Sequence, residues 1–161
     1  MQNILNNIII TNPKLHSKLY LRPATLYYLR LEFADNTSMN GIVGRTNVLA
    51  KSPQCPIILY KLGYTTTSLN ERIFGKLPSY TYKIINGKRK YIRASGHNGM
   101  GLPQHTKVYE VACVSNRNAS YIYQVEQYLH SLHAKHCYEG AKVMGNGNTE
   151  LYTVDILGLD N

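Results

Sequence analysis

The sequence predicts an α+β protein with a small mixed or antiparallel central sheet, flanking helices and hairpin insertions. Runs of strand length at 24–33, 57–62 and 107–115 are rich in β-branched and aromatic residues. Between residues 121 and 136, Ile122, Val125, Leu129 and Leu132 recur instead at helical spacing. Clusters of Gly, Pro and Asn punctuate these segments. The 161 residues, 43% apolar, suit one domain over 1–161 with a sizeable core, without internal repeats.

Charge narrows the partner. Lys and Arg number 18 against 9 Asp and Glu, for a formal net charge of +9. Such an excess favours a polyanion through phosphate neutralisation and counterion release. It selects a partner class and no activity, because ribosomal, membrane-surface and nucleic-acid proteins share it. Fourteen tyrosines stand against two phenylalanines and no tryptophan; these rings can stack on bases or bond to phosphates, but at core and sheet positions they are more often plain packing. No run approaches the roughly 18 apolar residues that span a bilayer. Met1-Gln2-Asn3 lacks the basic start of a secretory signal. A cytoplasmic protein without membrane association is expected, its three cysteines (Cys55, Cys113 and Cys137) reduced.

In chain order, residues 1–22 form an N-terminal arm or extra strand around Ile8-Ile9-Ile10. Its basic, proline-broken part carries Lys14, His16, Lys18 and Arg22, and is either a backbone contact or a solvated terminus. The strand at 24–33 alternates, with Leu26, Tyr28 and Arg30 on one face and Tyr27, Leu29 and Leu31 on the other. Residues 35–56 are a turn-rich insertion. The run at 57–62 ends at Gly63, and Ser68-Leu69-Asn70-Glu71 fits a capping box opening a short helix that stops before Pro78. Lys61 and Arg72 flank this turn, where they hold an anion or are surface charges. A second insertion, 78–104, contains a hairpin about Asn86-Gly87 with Lys88, Arg89 and Lys90 among Tyr80, Tyr82 and Tyr91. It reads as a nucleic-acid-contacting ribbon or as an edge that lysines protect from pairing. Residues 96–101 read as a flexible loop. The helix at 121–136 exits at Gly140, and 149–157 forms a closing strand or extended segment.

Glu126 lies beside the apolar stripe of that helix, and a carboxylate there needs a partner. The partner is a Lys or Arg, or a divalent cation held by one carboxylate, waters and substrate phosphate. A rival set is Glu126, His130 and His133, suited to zinc.

Four motifs occur in a telling order: Thr25-Leu26-Tyr27-Tyr28-Leu29, Lys61-Leu62-Gly63-Tyr64-Thr65, Arg72, and Val125-Glu126-Gln127-Tyr128-Leu129-His130. Together they resemble the GIY-YIG nuclease family, over residues 24–157 apart from the two insertions. Thr25 stands where that family has its first glycine. Lys61 replaces the tyrosine of the second motif, as in a branch of restriction and phage enzymes. The resemblance implies a metal-dependent endonuclease that hydrolyses DNA phosphodiester bonds, of restriction-like, homing or free-standing phage type. Glu126 would hold one Mg²⁺ or Mn²⁺. Tyr27 would act as general base on water, its pKa lowered by Lys61 and the metal. Lys61 and Arg72 would neutralise charge on the phosphate. Tyr64 and Asn148 would contact substrate, with Asn146 the alternative to Asn148 and Glu150 a structural residue. Lys88, Arg89 and Lys90 would add contacts to double-stranded DNA, and a homodimer is left open. The alternatives are a non-catalytic basic module binding DNA or RNA, which needs neither Tyr27 nor Glu126, and a ribosome-associated or structural protein.

Overall fold

Alternation along one strand builds two cores at once. The computed structural model describes residues 1–11, 22–33, 57–75, 80–93, 99–102, 106–139, 143–144 and 148–161. Its elements are α1 (Gln2–Thr11), β1 (Ala24–Phe33), β2 (Ile57–Thr65), α2 (Leu69–Phe74), β3 (Tyr80–Ile85), β4 (Lys88–Arg93), β5 (Lys107–Asn116), α3 (Ala119–Leu132) and β6 (Leu151–Tyr152). The strands form a six-stranded sheet in the order β3-β4-β5-β1-β2-β6. Each pairing is antiparallel, so of the two sheet types expected the antiparallel one forms.

On one face of β1, Tyr27, Leu29, Leu31 and Phe33 pack with Leu59, Ile73 and Met100. On the other, Leu26 and Tyr28 pack with Leu62 and with Ile122, Val125 and Leu129 of α3. Each such aliphatic or aromatic side chain contributes about 1.5–3 kcal/mol by leaving water, so the central strand anchors both layers. Beside Tyr28 and Leu29 the register against β5 shifts, a local bulge.

Local chemistry sets the ends of α2 and of the hairpin. The Ser68 hydroxyl accepts the Glu71 amide at 3.1 Å, and Gly75 at φ 84° closes the helix. Asn86 and Gly87 both adopt positive φ, 51° and 76°, as a two-residue hairpin turn requires. The hairpin is no detached insertion, since β4 pairs with β5 and extends the main sheet.

Four expectations are corrected. The start of the chain is helical: Met1, Ile4 and Leu5 lie at helical spacing and pack on the α3 core, and the Tyr121 hydroxyl donates to the Leu5 carbonyl at 3.4 Å. The α3 helix stops at Leu132, short of His136, because the chain tightens into a 3-10 turn at Ala134–His136 and Cys137 then bridges to Tyr152. The closing strand shrinks to Leu151–Tyr152, beyond which side chains replace the ladder. There the Tyr28 hydroxyl donates to Asp155 at 2.9 Å and the Tyr60 hydroxyl to Asp160 at 2.7 Å, while Arg30 and Lys88 also pair with Asp160. Of the loop expected to be flexible, residues 96–98 lie outside the described residues, while Met100 is buried and its amide donates to the Ile73 carbonyl at 3.3 Å. The 35–56 insertion, the basic segment at 12–21, Cys55, Gly140 and Asn146 lie outside the described residues. Cys113 and Cys137 are free thiols. Among the described residues no helix is long and apolar enough to cross a membrane.

Candidate active site

Strand register places the first two residues of the site. Tyr27 pairs with Gly63 and Leu29 with Lys61, so Tyr27 and Lys61 share one face of the sheet. The Tyr27 ring lies over Gly63: a Cβ there would sit 2.4 Å from the hydroxyl oxygen and 2.6 Å from Cζ. After β2 the chain turns through Thr65–Thr67, where the Thr67 amide donates to the Thr65 hydroxyl at 3.1 Å. That turn launches α2 and brings Arg72 beside Tyr27. From the opposite layer, α3 directs Glu126 toward the short edge strand β6, and the 3-10 turn at Asn148–Glu150 supplies Glu150 just before that strand.

These elements enclose a cavity of about 370 Å³ lined by Arg22, Tyr64, Thr65, Arg72, Glu126 and Glu150, among others. Tyr27 and Lys61 are fully buried beneath it. A neighbouring hollow of about 450 Å³ shares Arg22 and Tyr64 and adds Tyr123, whose ring meets Tyr64 edge-on at 5.5 Å.

Charges in the floor of the cavity are coupled. Lys61 is 0% exposed, and its Nζ donates to Glu150 Oε2 at 2.5 Å. Burial pushes the Lys61 pKa down, with Arg72 acting in the same direction, while Glu150 and Glu126 pull it back up. Tyr27 moves contrary to the lowering expected of it: burial pushes its phenol up to about 12, an effect Arg72 opposes and Glu150 and Glu126 reinforce. The Tyr27 hydroxyl has no well-formed hydrogen bond, although Arg72 is near enough to draw its pKa down.

Glu126, 2% exposed, accepts from Gln127 Nε2 at 3.0 Å and lies 3.3 Å from His130 Nε2. His130 Nδ1 is hydrogen-bonded to the Tyr152 hydroxyl, and the two rings stack with centroids 5.8 Å apart. Donor atoms of Glu126, His130 and Glu150 all lie within 4.8 Å of one another. His133 caps the end of α3 and stands outside this group, so the rival set of Glu126, His130 and His133 does not form. Two carboxylates opening on a water-accessible cavity suit a hard dication such as Mg²⁺. Glu150, expected to be structural, pairs with Lys61 and also lines the cavity. Only the pairing of β6 with β2, Lys61 opposite Leu151, brings it here, and no local motif announces that register.

The hairpin cations diverge. Arg89 pairs with Glu110, Glu110 with Leu29 and Leu29 with Lys61, so one cross-strand row puts Arg89 on the site's face. Alternation sends Lys88 and Lys90 to the other face, where Lys88 pairs with Asp160 and Lys90 lies over the Tyr109 ring. With three strand spacings between β4 and β2, Arg89 stands about 14 Å from the site.

Fold and site thus define a class: an antiparallel α+β protein with a cavity of mixed cations and carboxylates at its sheet edge. No protein-family model, curated protein or solved structure matches the chain.

Proposed function

We propose that this protein is a metal-dependent endonuclease of GIY-YIG type, hydrolysing phosphodiester bonds in double-stranded DNA. The observation that carries the reading is the meeting of Arg72, Glu126 and Glu150 in one solvent-open cavity above buried Lys61 and Tyr27. A cavity lined by both guanidinium groups and carboxylates suits a phosphate diester together with a dication.

Arg72 binds the diester and neutralises the charge that builds on its oxygens. Tyr64 and Arg22 line both the cavity and the adjoining hollow, so the nucleoside beside the scissile phosphate lies along them. Tyr27 holds its proton at neutral pH, and its hydroxyl, covered in the free protein, would orient the attacking water once substrate opens the floor of the cavity. Lys61 reaches substrate when Glu150 releases it. Glu126, with Glu150 at hand, would hold Mg²⁺ or Mn²⁺, which when bound supplies charge stabilisation at the leaving oxygen. Net charge of +9 supports a polyanionic substrate.

Incubation of supercoiled plasmid with the protein, with Mg²⁺ or Mn²⁺ and with chelator, tests the reading. Nicked or linear DNA that disappears with chelator supports it. Tight DNA binding without cleavage under either metal supports the non-catalytic module instead.

A further inference from the structure

His130 occupies a position that hydrogen bonding within the protein does not explain. Its Nε2 is shielded from solvent and has no hydrogen-bond partner among the described residues, although Glu126 Oε1 lies only 3.3 Å away. That contact is close but misaligned for a hydrogen bond. The other ring nitrogen, Nδ1, is taken by the Tyr152 hydroxyl, and stacking on the Tyr152 ring fixes the plane of the imidazole. When Nδ1 donates to Tyr152, Nε2 presents a bare lone pair to a carboxylate, a pairing that either a proton or a metal cation between them resolves. The Glu150 carboxylate converges on the same point, with all three donor atoms within 4.8 Å of one another. Lys61 satisfies Glu150 from the side of the sheet, but it leaves the Glu126–His130 contact unanswered.

We propose that Glu126, His130 and Glu150 form a three-donor site for a first-row transition dication such as Mn²⁺. The Tyr152 hydroxyl fixes the imidazole so that Nε2 is the ligand, in the manner of an outer-shell partner. A nitrogen donor beside two carboxylates shifts preference from Mg²⁺, which favours all-oxygen surroundings, toward transition metals. Glu150 then exchanges one cation for another, letting go of Lys61 as it takes the metal. The inference deepens the endonuclease reading and rests on it only for a metal at Glu126.

The test is titration of Mn²⁺ into the full chain, followed by electron paramagnetic resonance. The signal of free Mn²⁺ gives Kd, and electron spin echo modulation detects a directly bound imidazole nitrogen. The wild type should display nitrogen coupling, which His130→Gln removes while raising Kd at least about tenfold. Glu150→Gln should raise Kd and keep the coupling. Bound Mn²⁺ without nitrogen coupling in the wild type overturns the inference, whatever the variants do, and so does failure to bind Mn²⁺. Plasmid cleavage is scored separately. Cleavage without nitrogen coupling removes the three-donor site and leaves the endonuclease, whereas coupling without cleavage does the reverse.

Discussion

The Tyr27 hydroxyl occupies the space a side chain at Gly63 would need, 2.4 Å from where its Cβ would be. The glycine of the second motif is therefore explained by the tyrosine of the first. One residue lacks a side chain so that the other can lie flat across the strand pair.

Gly63→Ala should force that buried ring to shift, at a cost of about 1–3 kcal/mol. The urea midpoint should fall, and any cleavage activity with it. Tyr27→Phe should not rescue stability, since Cζ would still stand 2.6 Å from the new methyl.

Glu126→Gln retains side-chain shape while removing a charge from the cavity. Circular dichroism and DNA affinity should stay close to wild type, with cleavage lost. Cleavage at the wild-type rate would remove Glu126 from the metal assignment.

Lys61→Met exchanges a fully buried ammonium for an apolar side chain of similar length. Glu150, about a third exposed, stays beside Arg22 and Arg72 in the open cavity and is not stranded. Stability should hold or rise by about 1 kcal/mol while cleavage falls, because desolvating an ammonium is costly even with a partner. Chemical denaturation alongside the plasmid assay checks both halves.

Alkaline pH should loosen the fold through its buried phenols. Tyr27 keeps its proton up to about pH 12 when folded but loses it near 10 when unfolded. In that window the native state binds more protons, so stability falls as pH rises through it, by on the order of 2–3 kcal/mol for this residue. Tyr28 and Tyr152 are shifted up as well and add to the fall. Lys61 acts oppositely, since its folded pKa lies below the unfolded 10.5 and stability rises with pH between the two. Denaturation midpoints between pH 9 and 12 should fall less steeply in Tyr27→Phe than in wild type.

Arg89 and Lys88 should behave differently although they are neighbours. Arg89→Ala should flatten the salt dependence of DNA affinity by up to about 0.9 log units per decade of salt for its lost phosphate contact. Lys88→Ala should leave that slope unchanged and lower the melting temperature, because Lys88 anchors Asp160. Equal slopes for wild type and Arg89→Ala would show that the hairpin does not touch DNA.

Much of the framework is legible locally. The bounds of β1, the two-faced alternation of Tyr27 and Tyr28, the Ser68 cap and the Asn86-Gly87 turn each follow from a few adjacent residues. The first helix is not legible locally, because Ile8-Ile9-Ile10 has strand composition and Asn3, Asn6 and Asn7 are poor helix formers. Packing of Leu5 on α3 overrides that propensity. Glu150 and Tyr152 join the site through strand pairing, which no local pattern encodes. The hairpin's charge was legible and its facing was not: period two splits Arg89 from Lys88 and Lys90, whereas a charge count treats them as one patch.

The two-residue strand β6 also bears on how the protein reaches its active form. Leu151 must find Lys61 across some ninety residues of chain before Glu150 can approach the buried ammonium. Loop closure on that scale is paid late in folding, after β1 and β2 have met. During refolding, the pairing of β1 with β2 should therefore precede the appearance of a competent cavity. Any catalytic signal should recover in the slowest kinetic phase, behind the change in far-ultraviolet dichroism.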